Sequence, residues 1–166
     1  MRPASLMPTR APTRRTPAPD AAAWSLSLRQ AEQARHAGQL LMALAHYRQA
    51  LAQAQQALQA QHPLRHEEAL QALVTSSAAL AELTEEAQSP ALAARIRADL
   101  HRALHKLLCG QVVLRRSALW HCRVSHEALM RHVQDHGWSA DIEAALRAGC
   151  MAMHCASVAG PPPSTH

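Results

Sequence analysis

Apolar and polar residues alternate here with a helical period, and the pattern is cut at nearly regular intervals. In Pro90–Gly110, Leu92, Ile96, Leu100, Ala103, Leu104 and Leu107 recur at steps of three and four and form one stripe. Arg95, Arg102 and Lys106 occupy the opposite side. The next segment is apolar on two faces: Leu119, Met130 and Val133 on one, Val113, Trp120 and Val124 on the other. That pattern predicts a helix contacted from both sides, inside a layered stack.

The cuts are Gly38, Pro63, Pro90, Gly110 and Gly137. Glycine ends a helix by adopting positive φ at little cost; proline lacks the N–H and clashes with the preceding turn. Six helices follow, over about 20–37, 39–61, 65–87, 90–109, 112–135 and 139–158. Ser89-Pro90 reads as an N-cap followed by proline in the first turn, and Ser139 caps the last helix. Short connections require antiparallel neighbours, so the expected architecture is all-α, with six antiparallel helices in three hairpins.

Composition agrees. Apolar residues make up 48% of the 166, mostly Ala and Leu, with no Phe and one Tyr. Such a core favours closely packed helices over sheets. Residues 1–19 carry Pro3, Pro8, Pro12, Pro17 and Pro19 with unopposed arginines and are expected to be a disordered tail; 20–158 is the helical domain and 159–166 a second disordered tail. Much of the formal charge of +5 sits in that first tail, so the helical part is only mildly basic and lacks the stacking aromatics of a nucleic-acid surface. Nucleic acid is therefore not the expected partner. Nothing reads as a signal peptide or a membrane span, and four cysteines without a secretory signal point to reduced thiols in a cytoplasmic protein.

The stretch Ala31-x-x-Ala34-x-x-x-Gly38-x-x-x-x-Ala43-x-x-x-Tyr47-x-x-Ala50-Leu51 resembles a tetratricopeptide repeat. Small residues there let two helices approach, a glycine turns the chain, and an alanine and an aromatic lock the second helix. A degenerate second copy runs over about 79–108, with Gln88 in place of the turn glycine and Arg97 in place of the aromatic. The resemblance implies a helical solenoid that binds a partner protein or peptide as an adaptor or small chaperone, not an enzyme. In that register Glu32, Arg35, Glu82 and Glu85 would face the concave groove. So short a stack leaves apolar end faces, which makes a homodimer a further expectation.

Histidine and cysteine supply a second reading. Six pairs stand at i, i+4: His62/His66, His101/His105, His105/Cys109, Cys122/His126, His132/His136 and Cys150/His154. That spacing puts two ligands on one helix face. If the last two helices fold back near residue 138, Cys122 and His126 meet Cys150 and His154 in a Cys2His2 set suited to Zn, or to Cu(I) with methionine help. The alternative function is therefore a metal-binding or metal-sensing protein. His101 and His105 flank the apolar stripe and are expected to be exposed. No phosphate loop, nucleophile elbow or zinc-protease pattern occurs, so no catalytic residues are assigned.

Overall fold

The computed structural model describes residues 21–59, 66–110 and 113–158, with the backbone alone for 21, 22 and 150–158. Both expected tails and His62 lie outside the described residues. The fold is all-α: α1 Ala21–His36, α2 Leu40–Gln59, α3 His66–Glu86, α4 Pro90–Gly110, α5 Arg115–His136 and α6 Ala140–Val158. No strand occurs among the described residues, and no helix there is long and apolar enough to cross a membrane.

The breakers set a regular frame. Helices α1, α3 and α5 end at 36, 86 and 136, while α2, α4 and α6 begin at 40, 90 and 140, a recurrence of 50 residues. The first two turns share one geometry. At Gly38 (φ 72°) the Gly38 N–H donates to Arg35 O at 3.0 Å and the Gln39 N–H to Ala34 O at 2.8 Å. At Gln88 (φ 58°) the Gln88 N–H donates to Glu85 O and the Ser89 N–H to Thr84 O, each at 2.9 Å. Both are left-handed caps that satisfy carbonyls at a helix C-terminus. The third turn differs: Gly137 has φ 87° and ψ 177°, and its N–H simply continues the helix ladder to Val133 O at 2.8 Å. Ser139 caps α6 as expected, its Oγ accepting from the Ile142 N–H at 3.3 Å.

Packing follows chain order from α1 to α4, and then branches, because α4 packs against both α5 and α6. Ala31, Ala34, Ala43 and Tyr47 are buried with Leu80 and Leu83, joining the first two helices to α3. A larger cluster gathers Trp24, Leu58, Leu70, Leu73, Leu104, Leu108, Leu114, Ala118 and Cys122 along the middle of the stack. A third, small cluster of Ala94, Leu129 and Ile142, with Val133 and Leu146 against it, ties α5 and α6 to α4 near the last turn.

Two expectations are corrected here. The last two helices do not close a hairpin like the first: among the described residues α6 lies mainly along α4, with only sparse backbone approach to α5. The helix packed on several sides is α4 and not α5. Helix α5 buries Ala118, Cys122, Ser125, Leu129 and His132, whereas Val113, Trp120 and Val124 are exposed. The physical reason lies in α4, which buries His101 and His105 as well as its leucines. A pattern that counts histidine as polar sees only one of its packed faces.

Candidate functional site

The backbone course just described leaves a cavity of about 570 Å³ between α4, α5 and α6. Its described walls include His101 and His105 from α4, Cys122 and His126 from α5, and Gly149 from α6. The i, i+4 spacing sets His101 and His105 one turn apart on α4, and Cys122 and His126 likewise on α5. The helices run antiparallel here, so the two pairs face one another.

His101 and His105 are only 3% and 7% exposed, and their Nε2 atoms stand 3.1 Å apart. The His101 Nδ1 lies 3.2 Å from Ser125 Oγ, itself buried. The His105 Nδ1 is buried with no hydrogen-bond partner. The His126 ring, exposed at the mouth, has its centroid 6.0 Å from that of His101. Burial, and then His105 and His126 nearby, push the His101 imidazolium down to about 4; burial and His126 lower His105 too. Both rings are therefore neutral near pH 7, with lone pairs available as ligands. Burial alone pushes the Cys122 thiol up to about 12.

Gly149 explains how α6 fits over this pair. A Cβ at that position would stand 2.7 Å from His105 Nε2 and 3.2 Å from His101 Nε2. Glycine is disfavoured inside a helix, so here the site constrains the sequence against local preference.

A second polar group crosses the α1, α3, α5 side. Arg35 on α1 donates to Glu82 at 3.3 Å and to Glu86, both on α3. Glu85 on α3 receives Arg97 at 2.7 Å and meets His132 Nδ1 on α5 at 2.7 Å. Burial by itself would raise the Glu85 carboxyl, but the hydrogen bonds from His132 and Arg97 outweigh it and hold the group low. His136 stacks beside His132 with centroids 4.6 Å apart, and donor atoms of Glu85, His132 and His136 lie within 4.8 Å of one another.

Of the expected groove residues, Glu32 and Glu82 are exposed, while Arg35 and Glu85 are half-buried in these ion pairs. Of the expected metal set, Cys122 and His126 share the cavity; the side chains of Cys150 and His154 lie outside the described residues. His101 and His105, expected on the surface, are buried in the same cavity instead, because α6 covers that side of α4. Gly149 was legible only as a glycine inside a helix-forming stretch, a signal easily passed over.

The chain belongs to the family described as "Protein of unknown function (DUF2753)", whose model matches residues 22–162. No curated protein and no solved structure matches the chain.

Proposed function

We propose that the protein is a tetratricopeptide-repeat-like adaptor that binds a partner protein or peptide across the side formed by α1, α3 and α5. The observation carrying this reading is the shared turn geometry, left-handed at both Gly38 and Gln88, within a frame that recurs every 50 residues. Recurring helix pairs bring every first helix to one side, which makes an extended recognition surface. The signature positions Ala31, Ala34, Ala43, Tyr47 and Ala50 are all buried, as the helix-locking role of that motif requires. The repeat is longer than the usual thirty-four residues, so its helices offer a deeper wall.

Charge gives the partner a character. Along that side Glu32, Glu82, Glu85 and Glu86 accompany Arg35 and Arg97, and the surplus carboxylates favour a basic segment. A displayed peptide library panned against the full chain tests this directly. Lys/Arg-rich sequences should be selected, bind less tightly as salt rises, and lose at least about tenfold in affinity to Glu82→Lys, a cost of about 1.4 kcal/mol. Selection of no peptide, or binding by the Glu32→Lys and Glu82→Lys variants as tight as by the unmodified chain, would overturn the assignment.

A further inference from the structure

We propose that His101, His105, Cys122 and His126 form a binding site for a Zn²⁺ ion. The proposal is independent of partner binding and rests on the cavity between α4, α5 and α6. Two i, i+4 ligand pairs on adjacent antiparallel helices line the same cavity; the Nε2 atoms of His101 and His105 already stand together, and the Cys122 and His126 side chains must turn toward them for the donors to converge. Three imidazoles and one thiol are a donor set that borderline-soft Zn²⁺ favours over Mg²⁺ or Ca²⁺.

The geometry of the inner pair is that of shared ligands. Zn–N bonds of about 2.0–2.1 Å in a tetrahedral site put two nitrogens roughly 3.3 Å apart, and the two Nε2 atoms stand at 3.1 Å. The His101 Nδ1 lies within reach of Ser125 Oγ, so Ser125 can accept from it and leave Nε2 free to coordinate. As a bare hydrogen-bonded pair the arrangement is poor, since whichever ring donates, His105 Nδ1 stays buried and unpartnered. His126 sits exposed at the mouth, where its ring can turn inward. Gly149 keeps α6 from pressing a side chain onto the two Nε2 atoms. On binding, Cys122 Sγ gives its proton to solvent as the Zn–S bond forms, and the rings coordinate as neutral imidazoles.

The other candidate, Glu85 with His132 and His136, is weaker although its donor atoms lie closer together. Both Glu85 oxygens are already engaged, one by His132 and one by the Arg97 guanidinium. That cluster serves as the control.

The test uses the full chain without an affinity tag, stripped with chelator and titrated with Co²⁺ and then Zn²⁺. One equivalent of Co²⁺ should bind with tetrahedral ligand-field absorption and a thiolate-to-cobalt charge-transfer band, and Zn²⁺ should displace it. Cys122→Ser should abolish the charge-transfer band. His101→Gln and His105→Gln should each weaken Zn²⁺ binding more than tenfold, and His132→Gln should leave it unchanged. Gly149→Ala should weaken binding with helix content retained, which keeps the test decisive where Cys122→Ser does not fold. Absence of the charge-transfer band in the unmodified chain, or binding that survives His101→Gln and His105→Gln, would overturn the site.

Discussion

The first and last helix pairs have the same breaker spacing and opposite packing. Between α1 and α2 the facing residues are Ala31, Ala34, Ala43, Tyr47 and Ala50, all buried, and the turn at Gly38 makes two carbonyl-capping bonds. Between α5 and α6 the turn at Gly137 makes neither of those bonds, and apolar closure is confined to Leu129, Val133, Ile142 and Leu146 near the connection. Beyond it the space is held by His101, His105, Cys122 and His126 around a cavity. Breaker spacing sets where helices stop. The size and polarity of facing side chains decide whether the pair closes.

Truncating one contact in each pair measures that difference. Tyr47, 3% exposed within the first pair, should cost about 3–5 kcal/mol when changed to Ala, as large buried side chains do. Leu146, half-buried beside the cavity, should cost less than about 2 kcal/mol because its far side already lacks packing. Urea denaturation of both variants checks this. Equal losses would mean that the last pair is as closed as the first.

Acid should attack the last pair selectively. The unfolded His101 takes up a proton near 6.5, whereas in the fold it does so only near 4. Between those values the unfolded chain holds more protons, so stability falls as pH drops through this window and is restored above it. The fall from 6.5 to about 4 corresponds to about 3 kcal/mol at most from this ring, in the absence of metal. The titratable and charged groups lining the cavity with it are His105, Cys122, Arg123, His126 and Glu127, and His105 adds a loss of the same sign. Glu85 is held low, so its contribution is lost only at more acidic pH, below the ordinary carboxylate range. Urea midpoints from pH 7 to 4 should therefore decline, and His101→Asn should flatten the decline. An unchanged slope in that variant would place the acid sensitivity elsewhere.

The helices were readable from sequence because their ends are local chemistry. Gly38, Pro90, Gly137 and the Ser139 cap all stand within a few residues of the boundaries observed. That Cys122 and His126 share one face of α5 was also legible, since i, i+4 spacing is a property of one helix. Their partners were not, because pairing depends on which helix lies opposite. α6 seats on α4, so His101 and His105, whose polarity suggested solvent, came to face that pair. The exposure of Trp120 has the same origin: no helix among the described residues covers that face of α5, although its apolar character suggested one.

The three turns order the pairs by backbone alone, down to the smallest effect expected. Gly137, at φ 87° and ψ 177°, occupies a region essentially reserved for glycine, so Gly137→Ala should cost about 2 kcal/mol. Gly38, at φ 72°, is left-handed but accessible to other residues at a penalty, and open space surrounds its would-be Cβ. Gly38→Ala should therefore cost about 1 kcal/mol, the strain being partly offset by the lower entropy of the unfolded alanine chain. Gln88 already bears that strain at φ 58°. Gln88→Gly should relieve it and lose some of the gain to unfolded-state entropy, a net stabilisation below about 1 kcal/mol. Urea midpoints at an unchanged m-value would report these effects. A destabilised Gln88→Gly would show that the Gln88 side chain contributes more to the second turn than its backbone strain costs.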